Sequence, residues 1–204
     1  MQTLDILTSI ALGVGLAAAV GLRVFLPLLV LAIAGYTGLV PLSESFQWLA
    51  TLPAVAMLAV AAVAEIAAYY LPGVDNLLDA LATPAALVAG TIAAAAVMTD
   101  LPPIVKWTTA VIAGGGAAGL TQGVTSLLRV KSTATTGGLG NSLIATGELG
   151  GAATLSLLAI FAPIVALVLV VLVVWLAVKL LRRLFSRRGD GAGRDPTDAA
   201  RPDA

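Results

Sequence analysis

Cysteine and histidine are both missing from the 204 residues of this chain. Their absence excludes disulfides, thiol nucleophiles, iron–sulfur ligation, histidine-ligated haem, Ser-His-Asp catalysis and typical zinc sites. Hard cations held by carboxylates and carbonyls stay open. Charge is scarce too: 11% of residues are charged and 59% hydrophobic, against roughly 25% and 45–50% in soluble domains. A chain of this size could not hide so much apolar surface in water. The expected class is an all-α polytopic membrane protein, with residues 1–186 as one transmembrane helical domain. The apolar runs do not alternate, which speaks against a transmembrane β-barrel. The N-terminus has no basic n-region before a short apolar stretch, so residues 1–40 are expected to be retained rather than cleaved. No basic stripe of the kind nucleic-acid binding needs precedes the C-terminal tail. No recognised catalytic motif is present, so the chain is not read as an enzyme, and no cofactor is expected.

The zero net charge conceals an asymmetry. Seven basic residues (Lys179, Arg182, Arg183, Arg187, Arg188, Arg194 and Arg201) and four acidic ones fall in residues 179–204, leaving the body acidic. By the positive-inside rule this end is cytoplasmic, in a bacterial inner membrane. From Arg187 the tail is rich in Gly, Asp and Pro, and residues 187–204 are expected to be disordered.

A membrane crossing needs about 20 residues at 1.5 Å each, so residues 6–40 are too long for one. Gly21, Arg23 and Pro27 mark the expected break. A helix over 49–71 carries Glu65 and ends at Tyr69-Tyr70, which read as an interfacial anchor. Residues 74–84 are too polar for a lipid-facing span, and they predict a short interfacial or re-entrant helix ahead of another helix over 84–99. A glycine-rich helix is expected over 105–130. The polar segment 131–142 is a second broken or re-entrant stretch, and 143–184 holds about two spans with breaks at Gly150-Gly151 and Pro163. The count is about six crossings. Gly73-x-x-Asn76 echoes Gly138-x-x-Asn141, and Gly13-Val-Gly15 echoes Gly114-Gly-Gly116, which raises an inverted repeat of the kind many transporters contain.

Charges at bilayer depth cost roughly 2.5–3.5 kcal/mol on insertion scales and therefore tend to mark an ion or substrate path. Gly115, Gly119, Gln122, Ser126 and Arg129 share one helix face. They are either a packing seam ending in a snorkelling arginine or a cavity wall on which Arg129 binds an anion or neutralises a carboxylate. Asp75 and Asp79 share a face with Asn76 and Thr83 nearby. Two close carboxylates either bridge a cation or share a proton, although a solvated interfacial helix would look the same. Glu65 is too short to snorkel and suits a proton, a cation or an arginine partner. Arg23 is the expected structural counter-charge. Thr135-Thr136-Gly137-Gly138-Leu139-Gly140-Asn141 resembles an anion cradle of converging amides, with a carbonyl-lined cation filter and a plain loop as alternatives. Glu148 lies seven residues beyond Asn141 on the same helical face.

Three strings carry a resemblance: Gly21-Leu-Arg23-Val-Phe-Leu-Pro27; residues 65–84 (EIAAYYLPGVDNLLDALATP); and Gln122 to Glu148, which contains STATTGGLGNSLIATGE. Together they resemble the bacterial membrane-protein family described as domain of unknown function 4126, over residues 5–160. The resemblance implies an identity and no mechanism.

The residues themselves point first to a small secondary transporter. Glu65, Asp75, Asp79 and Glu148 would couple H+ or Na+. Arg129, Gln122, Ser126, Asn76, Thr135, Thr136, Gly137, Gly138 and Asn141 would meet a polar or anionic solute. A cation channel or oligomeric pore is the second option, with a homo-oligomer left open. A lipid-handling or membrane-assembly protein is the third. Membrane lipid and an unknown small solute are the expected partners, and nucleic acid is not.

Overall fold

The computed structural model describes residues 2–70 and 74–189; the side chains of residues 2, 74–80, 177 and 180–189 are not among what it describes. The elements are α1 (Gln2–Val20), α2 (Phe25–Tyr36), a 3-10 helix (Glu44–Ala50), α3 (Leu52–Ala68), α4 (Val74–Val97), α5 (Pro103–Thr109), a π-helical turn (Ala110–Gly115), α6 (Gly116–Thr136), α7 (Asn141–Phe161) and α8 (Pro163–Gly189). No strand occurs among the described residues. In hydrocarbon each backbone amide must find its partner within the protein, and a helix does this locally. Thr3–Val20, Pro103–Thr136 and Asn141–Phe161 are long and apolar enough to cross a membrane. The 3-10 helix and α3, bent by 69° at their junction, add a fourth candidate. These are the helices of a multi-pass membrane protein.

The first 170 residues form one compact unit, and α1 lies at its centre. Residues 11–21 of α1 and its end are buried throughout, enclosed by α4, α7, α6 and α2. Lipid provides no hydrophobic drive between helices, so close approach through small residues has to hold them. A Cβ on Gly21 would stand 2.3 Å from the Ala118 carbonyl oxygen, and one on Gly114 would stand 2.5 Å from Ala94 Cβ. The end of α1 meets α6, and the π-helical turn meets α4, where those side chains are absent. Large apolar residues turn outward instead, among them Met57, Val60, Ile112 and Val168. From Val171 onward α8 belongs to a second unit. Within it, Lys179 Nζ lies 4.6 Å from the Trp175 ring centroid.

Several expected boundaries move. The break after α1 falls at residues 21–24, ahead of Pro27. No interruption occurs at Pro84: α4 runs through it as one helix. A proline costs one helical hydrogen bond, which packing against neighbouring helices makes tolerable. Residues 131–136 continue α6, and only a four-residue turn separates it from α7. That turn closes through Gly137 and Gly138, at φ +64° and +93°, a region glycine enters without steric cost. Gly150-Gly151 sits inside α7, and the chain breaks instead at Pro163. Tyr69 is buried within the protein.

Candidate functional site

Arg23 sits in the break between α1 and α2, only 2% exposed. Its Nη2 donates to the Ala145 carbonyl at 3.0 Å and lies 3.5 Å from Glu148 Oε2. Its Nε and Nη1 make no hydrogen bond among the described residues.

Arg129, on α6, reaches the same carboxylate. Its Nε donates to Glu148 Oε1 at 3.0 Å, and its Nη2 pairs with Oε2. A two-pronged guanidinium–carboxylate contact adds direction as well as energy. Glu148, from α7, is therefore shared between two guanidinium groups, and all three residues are buried.

Tyr69 completes the cluster. The guanidinium carbon of Arg23 is 3.8 Å from its ring centroid and that of Arg129 is 4.2 Å. Cations over a desolvated ring gain about 2 kcal/mol. Sequence reasoning passed over this residue by treating the tyrosine pair as one anchor. The available signal was its place one turn after Glu65, on the same face of the helix. Tyr70 does stay exposed, with its hydroxyl 2.9 Å from Thr146 Oγ1.

Glu65 takes backbone partners. Its Oε1 accepts the Val24 amide at 2.8 Å and its Oε2 accepts the Phe25 amide at 3.0 Å. Both amides belong to the start of α2. Carboxylates near a helix N-terminus gain from the orphan N–H groups and the positive end of the dipole.

The other expected site residues fall in three places. Gln122 and Ser126 lie on α6 with Arg129, and Gln122 Nε2 donates to Ser126 Oγ at 3.3 Å. Gly115, at the end of the π-helical turn, and Gly119 of α6 pack against α4 at Thr91 and Leu87. Thr135, Thr136, Gly137 and Gly138 occupy the exposed end of α6 and its turn. There Gly137 N donates to Thr133 O, Gly140 N to Thr136 Oγ1 and Asn141 N to Gly138 O. These amides are turned onto their own turn. Asn141 is buried and its Nδ2 donates to Thr133 Oγ1 at 3.1 Å. Asp75, Asn76 and Asp79 lie on α4, with side chains outside the described residues. No three acidic side chains gather as a metal site would need among the described residues.

A mostly apolar groove of about 520 Å³ runs up to the cluster. Val24, Phe25, Ala64, Leu81 and Ala85 line it, together with Glu65 and Tyr69. Its lining thus includes the carboxylate that caps α2 and the ring that both arginines touch.

The chain belongs to the family described as domain of unknown function (DUF4126), whose model matches residues 10–183. No curated protein and no solved structure matches it.

Proposed function

We propose that this protein is a small secondary transporter that moves a polar or anionic solute through the Arg23–Arg129–Glu148 cluster, coupled to H+ or Na+. One observation carries the reading: a single buried carboxylate is shared by two buried guanidinium groups. Charged side chains at bilayer depth are costly, and such residues tend to mark an ion or substrate path. An anionic solute could compete with the glutamate for the same guanidinium donors. A proton on Glu148 would release the guanidinium groups, and an entering anion would restore the charge balance. Gln122 and Ser126 extend the same wall along α6.

In this reading α1, the bent 3-10/α3 pair, α4, α5–α6, α7 and α8 make six crossings, with α2 as a half-length insert. The basic residues between 179 and 201 support a cytoplasmic C-terminus in a bacterial cell. The echo between residues 73–78 and 138–143 supports two related halves meeting at the site.

The test is flux in liposomes holding the full chain and a trapped pH dye, with inorganic phosphate, a dicarboxylate and an amino acid as probe solutes. Solute movement should follow an imposed pH or sodium gradient, and Glu148→Gln should abolish that coupling. Movement indifferent to both gradients would overturn the coupled transporter. A second reading, lipid handling, is favoured by the apolar groove beside Glu65. A stoichiometric lipid retained after mild extraction, with no flux of any probe, would support it instead.

A further inference from the structure

Glu65 caps a helix that is not its own. Val24, the residue preceding α2, provides no side-chain cap, and Pro27 in the first turn has no amide to offer. The cap comes from α3, through the two hydrogen bonds to Val24 and Phe25. Val24 directly follows Arg23. The cap therefore holds the stretch of backbone from which Arg23 reaches Ala145 and Glu148.

We propose that Glu65 is a proton-operated latch and the positioning residue for Arg23. Ionised, it holds the start of α2 on α3 and keeps Arg23 at the cluster. Protonated, it presents an O–H donor to one of two N–H donors, so one bond is lost and the α1–α2 break is free to move. The step is a simple association: a proton from the aqueous phase joins one carboxylate oxygen, and the Phe25 or Val24 amide is given up. This deepens the transporter reading, on which it rests, by naming the proton as the coupling ion.

The groove supplies space beside the carboxylate for that change. The charged and titratable groups around Glu65 are Arg23 from the α1–α2 break, Glu148 from α7 and, one turn on along α3, Tyr69. From α4 the groove receives the uncharged Leu81, Ala82 and Ala85; Asp75 and Asp79 of that helix have side chains outside the described residues.

Since the chain has no cysteine, two introduced ones can carry spin labels without background. Ile33 on α2 and Met57 on α3 are both exposed. The full chain bearing Ile33→Cys and Met57→Cys is placed in lipid nanodiscs, and the label separation is measured between about pH 8 and about pH 5. The expected result is a reversible shift of a few ångströms. Glu65→Gln, whose amide also sets N–H donors against an amide, should hold the low-pH separation at both ends. A separation that ignores pH, or that still shifts in Glu65→Gln, overturns the latch. Should Glu65→Gln fail to fold, Glu65→Asp retains a titrating group on a shorter arm and must move the midpoint; an unmoved midpoint overturns the latch equally. The distance is read without solute. A latch that works with no flux removes the transporter reading alone, and flux with an unmoved α2 removes the latch alone.

Discussion

Arg129 and Glu148 face each other across the α6–α7 turn, Nε to Oε1 at 3.0 Å, though nineteen residues separate them in the chain. Their helices run back to back because Gly137 and Gly138 turn the chain within four residues. The ion pair is thus a tie within a helical hairpin, and Arg23 is its third member, from the break between α1 and α2.

Removing one partner of a buried pair leaves the other charge uncompensated, at about 3–5 kcal/mol. Glu148→Ala, which takes the carboxylate from two guanidinium groups, should therefore lower stability by that order in detergent or nanodisc unfolding, and by more than Arg129→Ala, which leaves Glu148 with Arg23. Arg129→Ala combined with Glu148→Ala should cost less than the sum of the two single losses, because both remove the same contact. A double variant as unstable as the sum of the singles would contradict this account of the pair.

Tyr69 provides the ring on which both guanidinium carbons rest. Tyr69→Leu should cost about 1–2 kcal/mol more than Tyr69→Phe, which keeps the π face. Thermal unfolding of the two variants side by side makes the comparison.

Close helix approach predicts a contrast between two neighbouring glycines. At Gly114 a Cβ would stand 2.5 Å from Ala94 Cβ, whereas at Gly116 it would meet nothing within 4 Å. Gly114→Ala should destabilise by about 1–3 kcal/mol through overpacking. Gly116→Ala should be neutral or stabilising by up to about 1 kcal/mol through helix propensity. Equal effects would mean that α4 and the π-helical turn do not meet at this seam.

Gly137, at φ +64°, ends α6 in a left-handed conformation. Gly137→Ala should cost roughly 1–2 kcal/mol, while Gly147→Ala on α7, where a Cβ meets nothing within 4 Å, should not destabilise. Chemical denaturation of both variants tests this.

The tie between Glu65 and the start of α2 shows where sequence reasoning ends. Composition alone marks Arg23, Glu65, Arg129 and Glu148 as residues that a membrane protein must compensate, and all four are buried. Which compensates which is a different matter. Arg129 and Glu148 lie close in sequence and across one turn, so their pairing was within reach of local reasoning. Glu65 instead meets amides about forty residues away, and Arg23 meets a carbonyl 122 residues away. No periodicity encodes a backbone partner.

Element ends divide in the same way. Pro163 and the Gly21–Arg23 stretch mark real interruptions, since each changes what the local backbone can do. Pro84 and Gly150-Gly151 carry the same local signals and interrupt nothing. Helices packed on several sides can absorb one lost hydrogen bond or a flexible residue, and the packing is set by distant parts of the chain.

By itself the sequence determined the helical membrane class and the short list of expensive charges, because both follow from the cost of moving polar groups out of water. The tertiary structure alone decided that one carboxylate serves two arginines over a tyrosine ring and that another pins a foreign helix end. Those choices depend on how closely glycine and alanine let α1, α4 and α6 approach, a distance that emerges only when all the helices are packed at once.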